Sequence, residues 1–356
     1  MKTETNIFRP EELFDALLER AGNNGADEVL LGTTEREAAV IRKKLCGCGF
    51  SQLFLEVPLA GRVGFDLHIV QDAENIRRQA PYDRDLYDGY GGLFSWYAGE
   101  PSCGDGLDVV YDFRNGLAVP PMAYLKMSDD TPNFAGFFRE AGDAESASRY
   151  EQKVNQLPDG WAPWYTGTHT GRPGKPLRIG CALHSWAKSR YAEDMRLLDH
   201  DLQRLGFPAP LSSVTCARLG ELFAFPYPVD VQLDVMGDGS LGPTLGISLC
   251  TGNIGAKRTA ASLSDGSMRE VMELLERWDV ADKRWKKLKA SLFQVSAVLC
   301  SQEGVRRRFV LSGNIGFIKA RFKDGESAHD AKAYINLRAI AESHEGWRDG
   351  TASPRA

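Results

Sequence analysis

Two-faced β-ribbons recur along this chain, and they constrain its fold more than any other feature. The clearest is the last: Phe317-Ile-Lys-Ala-Arg-Phe322, a turn at Lys323-Asp-Gly-Glu326, then Lys332-Ala-Tyr-Ile-Asn-Leu337. Strand side chains alternate between faces. Ile318, Ala320, Phe322, Ala333, Ile335 and Leu337 therefore share one side, and Lys319, Arg321, Lys332, Tyr334 and Asn336 the other. A single hairpin of this kind places its apolar side on a core and its charged side in water. This one has companions.

Four earlier pairs of segments show the same two faces: residues 52–57 with 64–70, 107–113 with 122–127, 161–168 with 177–184, and 229–235 with 243–250. Asn115-Gly116 is a strong hairpin-turn signal. The turns centre near residues 61, 116, 174, 238 and 325. Helical sequence separates most of them, with expected helices over 11–21, 35–45, 146–156, 188–205, 267–278 and 284–293. The strongest stripe is Tyr191, Met195, Leu198, Leu202 and Leu205. Residues 81–106 are rich in Tyr, Gly and Asp and read either as a binding loop or lid or as packed irregular structure.

Helices with one apolar stripe need a sheet to cover. If all of them cover the apolar side, ten antiparallel strands close into an α+β barrel with helices outside. The lumen then holds Glu56, Asp66, Lys126, Arg178, Asp230, Gln232, Lys319, Arg321, Lys332 and Tyr334. Dry burial of so many unpaired charges costs several kcal/mol each, so the expected lumen is a wet chamber that holds a ligand. Residues 1–344 are expected to form this one domain, and 345–356 a disordered tail.

Composition narrows the partners. The formal net charge is −5 and no long Lys/Arg run occurs, which argues against nucleic acid. No stretch approaches the ~20 apolar residues of a membrane helix, and the first residues lack a signal-peptide core. Seven scattered cysteines suit a reducing cytoplasm. Cys46-Gly-Cys48 has no second pair to complete a zinc site. Gly237-Asp-Gly-Ser-Leu-Gly242 matches G-x-G-x-x-G, but Pro243 and a strand follow where a helix is needed. Ser185-Trp-Ala-Lys188 has S-x-x-K spacing without its companion motifs. Asp129-Asp130 is not a D-D-x-x-D magnesium motif, and the six histidines form no H-E-x-x-H pattern.

The repeated ribbon-plus-helix unit, Lys332-Ala-Tyr334 as a Lys-x-Tyr strand and Glu56 in the first strand together resemble the αββα-repeat (ABBA, PT-barrel) prenyltransferases of the aromatic, indole and cyanobactin-peptide type. The resemblance spans about residues 35–340 and implies a ten-stranded antiparallel barrel of five αββα units. It also implies transfer of a dimethylallyl or geranyl group from its diphosphate to an aromatic molecule or a peptide side chain. Lys126, Arg178, Lys319, Arg321 and Lys332 would bind the diphosphate, and Tyr124 and Tyr334 would shield the allyl cation. Glu56 would orient or deprotonate the acceptor, with Asp66, His68 and His184 as further candidates. No cofactor or metal is expected, the prenyl diphosphate being a co-substrate. Each cation could instead sit in a salt bridge, for example to Asp230 or Asp234. Two other readings stay open: a barrel that only binds an anionic or amphipathic molecule, and a two-domain α+β chain with open sheets.

Overall fold

A computed structural model of the chain describes residues 15–17, 19–20, 52–61, 63–79, 89–100, 104–112, 121–127, 133–171, 174–252, 255–300 and 306–341. The strands are β1 (Gln52–Pro58), β2 (Asp66–Asp72), β3 (Gly106–Tyr111), β4 (Met122–Lys126), β5 (Trp161–Thr168), β6 (Leu177–Leu183), β7 (Val229–Val235), β8 (Leu241–Cys250), β9 (Phe293–Cys300), β10 (Arg306–Lys323) and β11 (Ala328–Ala341). Neighbours run β11-β1-β2-β3-β4-β5-β6-β7-β8-β10-β9, and β10 pairs again with β11. That second pairing closes β1–β8, β10 and β11 into a ten-stranded antiparallel barrel. All five expected hairpins are present.

Helices follow each of the first four hairpins: α1 (Ala73–Gln79) and α2 (Gly91–Gly99), α3 (Phe134–Glu140) and α4 (Ser146–Val154), α5 (Ser185–Glu193), α6 (Met195–Arg204) and α7 (Ser213–Phe223), then α8 (Ala256–Asp265) and α9 (Ser267–Arg277). The core lies between barrel and helices rather than inside the barrel. Outward-facing Leu53, Leu55, Leu67, Ile69, Ile179, Val231, Ile247 and Ile335 are completely buried, as are Met268, Val271 and Met272 of α9. Burial of each such side chain contributes roughly 1.5–3 kcal/mol. This is what turns the charged faces inward.

Local differences from the sequence reading have physical causes. The helix expected over 188–205 is two helices. Asp194 is extended at φ −144° and ends α5, while its carboxylate accepts from Arg196 N at 3.1 Å and caps α6. The buried stripe Tyr191, Met195, Leu198, Leu202 and Leu205 runs across the break. The helix expected over 284–293 is a 3₁₀ segment, Lys283–Ser291, after which Phe293 opens β9. β9 is an eleventh strand, outside the barrel ring. It pairs with Arg306–Gly313 of β10, leaving Phe317–Lys323 to β8. Within 81–106, the described part contains α2, whose Phe94 and Tyr97 are fully buried. Tyr90 is fastened by its hydroxyl to Pro121 O at 2.8 Å, so this part is packed structure rather than a loose lid.

Of the helix expected over 11–21, residues 15–17 and 19–20 are described and helical, with Leu17 buried. The helix expected over 35–45, the Cys46-Gly-Cys48 pair, the Asn115-Gly116 turn, Asp129-Asp130 and the tail lie outside the described residues. Among the described residues no helix is long and apolar enough to cross a membrane.

Candidate active site

The barrel encloses a cavity of about 380 Å³. All eight residues proposed from the sequence line it: Glu56 on β1, Tyr124 and Lys126 on β4, Arg178 on β6, Lys319 and Arg321 on β10, and Lys332 and Tyr334 on β11. Asp66 and His68 join them from β2. His184 does not. It lies at the start of α5 with its side chain exposed, because β6 ends at Leu183 before the next inward position.

Glu56 is the centre of one polar group. Register places it opposite Tyr334 on one side and Asp66 on the other. Its Oε1 accepts from Lys332 Nζ, and its Oε2 accepts from the Tyr334 hydroxyl at 2.8 Å. His68 Nε2 lies 3.2 Å from the same Oε2. Burial alone would raise the Glu56 carboxyl. Lys332 above all, then His68 and Lys319, overcome burial and hold it well below the usual carboxylate range. Lys332 also reaches Asp66 at 3.6 Å and is almost wholly buried.

A second group is cationic. Lys319 and Lys332 stand directly opposite each other on β10 and β11, an arrangement that costs stability in a sheet. Lys319 donates to the amide oxygen of Gln232, a neutral partner, and no carboxylate pairs with it among the described residues. Burial, then the charges of Arg178, Arg321 and Lys332, push its ammonium well below the normal lysine range despite Glu56 nearby. Its stem runs over Gly246, where a Cβ would lie 2.9 Å from Lys319 Cε. The other four cations proposed from the sequence have acidic partners. Arg178 holds Asp234 with two bonds of 2.7 and 3.0 Å, Arg321 Nε donates to Asp330 at 2.7 Å, and Lys126 lies 3.0 Å from Asp108. The salt-bridge alternative thus describes Arg178, Arg321, Lys126 and Lys332 but, among the described residues, not Lys319.

Aromatic rings complete the walls. Tyr124 receives a bond from Arg178 Nη1 at 3.2 Å and stands 2.8 Å from His169 Nε2. Its ring meets Tyr165 edge-on, with centroids 5.7 Å apart. Tyr334 packs edge-on against His68 and Phe317, and Phe54 lies beside Phe317. Several of these residues were not singled out from the sequence. Trp164 and Tyr165 both face the cavity because a bulge between Pro163 and Tyr165 interrupts the alternation. A second bulge, between Ile315 and Phe317, resets β10. One signal was available: glycines on the inward side of strands. A Cβ on Gly180 would fall 1.8 Å from the Tyr165 ring, and one on Gly167 would fall 2.2 Å from the Tyr124 ring.

The closed ten-stranded barrel sheathed by helices is the αββα, or PT-barrel, architecture. Among solved structures, the chain is similar to the prenyltransferase PriB in its apo form. The TM-score is 0.53 and the identity 15%, over 92% of this chain and 95% of that one. It also matches AnaPT from Neosartorya fischeri with a TM-score of 0.46 and 11% identity, over 95% of both chains. At this identity the likeness to PriB is one of fold. No protein-family model matches the sequence, and no curated protein matches it.

Proposed function

We propose that the barrel transfers a prenyl group, dimethylallyl or geranyl, from its diphosphate to an aromatic small molecule or a peptide side chain. The observation that carries this reading is Lys319: a buried lysine crowded by Arg178, Arg321 and Lys332, which among the described residues hydrogen-bonds a neutral amide and pairs with no carboxylate, Glu56 acting on it from a distance. A polyanion would relieve that repulsion. Lys126, Arg178, Lys319, Arg321 and Lys332 are assigned to the diphosphate, Arg178 and Arg321 being suited to bidentate contact. At an effective dielectric near 20, one unit pair at about 4 Å contributes ~4 kcal/mol. Contacts that strengthen as charge builds on the departing diphosphate lower the barrier to ionisation. The charge compensation comes from the barrel itself, so no metal or cofactor enters the proposal.

Tyr124 and Tyr334 offer π-faces to the allyl cation. Glu56, held ionised by Lys332, is the carboxylate that orients the acceptor through its N–H or O–H. The fold's likeness to a prenyltransferase supports the same reading. A cavity of about 380 Å³ is near the small end of ligand sites, roughly 300–1,000 Å³, which favours dimethylallyl over geranyl and a compact acceptor.

The test is incubation with labelled dimethylallyl and geranyl diphosphate and a panel of phenols, indoles and short Tyr- or Trp-containing peptides. Label transferred to an acceptor supports the proposal. A protein that binds neither diphosphate refutes it, and one that binds but never transfers is a carrier of anionic small molecules.

A further inference from the structure

The cavity contains a second carboxylate, Asp230 on β7, whose surroundings are the reverse of those of Glu56. It is only 8% exposed, it lines the cavity, and no cation pairs with it among the described residues. Its Oδ2 accepts the Cys250 thiol at 3.2 Å. Its cross-strand neighbours are both small, Ala182 on β6 and Ser248 on β8, and the carboxylate sits in the niche between them. The indole N–H of Trp164 favours its ionised form. A buried carboxylate that lines a cavity with only weak or neutral donors around it, and no cation, is a place for a proton-donating ligand group.

Register relates this niche to the cationic wall. Lys319 lies opposite Ser248, which lies opposite Asp230. On the other side, Lys319 lies opposite Lys332 on β11, and β1 with Glu56 is the next strand. The two carboxylates therefore flank Lys319, each two strands away, or roughly 10 Å at ~4.8 Å per strand. Glu56 already engages Lys332, Tyr334 and His68. Asp230 engages a thiol.

We propose that Asp230 is the catalytic base of the barrel, taking the proton that the acceptor loses, while Glu56 orients the acceptor. This rests on the prenyl-transfer reading above. In the step, the C–O bond of the prenyl diphosphate breaks and its electron pair leaves with the diphosphate. The acceptor's π or lone pair forms the new bond to the prenyl carbon. The displaced ring, N–H or O–H proton passes to the Asp230 carboxylate and then to solvent. Burial, partly offset by Cys250 and Trp164, raises this carboxyl to about 6. It is thus a stronger base than Glu56 yet mostly ionised at neutral pH. The ionisable groups that feel its charge are Cys250 from β8, Tyr165 from β5 and Cys181 from β6, with Lys319 two strands off and the Arg178–Asp234 pair further along β6 and β7. Burial and the Asp230 charge raise the Cys250 thiol, so it stays protonated.

The experiment compares wild type, Asp230→Asn and Asp230→Glu in three assays: binding of dimethylallyl diphosphate, its hydrolysis without acceptor, and transfer to the best acceptor of the panel across pH. Wild-type kcat/KM should fall as pH drops below about 6, where the base is protonated. Asp230→Asn should keep donor affinity within about twofold and keep hydrolysis, but lose about 10²-fold or more in transfer, together with the acid limb. Asp230→Glu, which keeps the carboxylate, should restore part of the rate and shows that the niche still folds. Transfer by Asp230→Asn at the wild-type rate with an unchanged pH profile overturns this proposal and leaves the parent reading standing. A wild-type protein that binds no prenyl diphosphate, or binds it and alkylates nothing, overturns both.

Discussion

Replacing Lys319 with methionine should act in opposite directions on folding and on donor binding. Methionine keeps the length and apolar stem of lysine without its charge. In the free protein the change removes a buried ammonium that faces Arg178, Arg321 and the directly opposed Lys332. Exchanging buried charge for apolar volume is often neutral or stabilising, by about 1–4 kcal/mol. Against this, Gln232 loses its donor, a cost of about 1–3 kcal/mol for a dry group, lessened here because Gln232 lines the cavity. The net expectation is a Tm unchanged or raised by a few degrees.

Binding should move the other way. Loss of one diphosphate contact worth ~2–4 kcal/mol weakens the donor roughly 30- to 1,000-fold. The pH dependence carries a third sign. Lys319 titrates below the usual 10.5, so between its depressed value and 10.5 the unfolded chain binds more protons than the folded one. Wild-type stability gains from this site as pH rises through that window, and the gain should vanish in Lys319→Met. Differential scanning calorimetry across pH and titration with dimethylallyl diphosphate measure all three. A variant that unfolds well below wild type while binding the donor equally well would refute the idea that Lys319 is held for an anion.

Gly180→Ala should destabilise the barrel by about 1–3 kcal/mol in urea unfolding, since its Cβ meets the Tyr165 ring at 1.8 Å. Adding Tyr165→Ala should recover much of that loss, and strict additivity of the two changes would contradict the close approach. Glu56→Gln should slow transfer and leave Lys332 with Asp66 at 3.6 Å as its acidic partner. Because the Glu56 carboxyl titrates below 4.5, its stabilisation is present above about that pH and lost as pH falls through the folded value. The Tm-against-pH curve of Glu56→Gln should therefore be flatter in acid than that of wild type. Transfer should survive EDTA, because the barrel's own cations meet the diphosphate; activity lost to the chelator and restored by Mg²⁺ would assign that charge to a metal.

The ring of strands was legible because both faces of each ribbon carry a strong signal. Leu53, Leu55, Ile247 and Ile335 mark the helix-covered side, and Glu56, Ser248 and Tyr334 mark the lumen. Where the backbone breaks alternation, the sequence loses resolution. Nothing in Trp161-Ala-Pro-Trp-Tyr165 announces that an extra residue turns both Trp164 and Tyr165 inward. β9 was missed differently: Phe293, Val295 and Ala297 alternate with Gln294, Ser296 and Val298, but the segment follows a helical run and pairs with a half of β10 upstream of Phe317.

Ion pairing was the least legible layer, and it decides what each lumenal charge is able to do. Glu56 and Lys332 are 276 residues apart, and Arg178 and Asp234 are 56 apart. Such partners are set by barrel closure and by register between neighbouring strands, neither of which composition encodes. The cavity lining has four acids, Glu56, Asp66, Asp108 and Asp230, against six Lys and Arg, and Asp234 and Asp330 bring the acids to six, enough for complete neutralisation. The folded arrangement is uneven instead. Arg178, Arg321, Lys126 and Lys332 each hold an acid, whereas Lys319 and Asp230 stand two strands apart and, among the described residues, neither forms an ion pair. Folding gains nothing from isolating a buried cation and a buried anion so near each other, because a direct pair would lower the desolvation penalty of both. Their separation is explained if something binds between them, anionic where it meets Lys319 and proton-donating where it meets Asp230. A prenyl diphosphate set against an aromatic acceptor has that polarity.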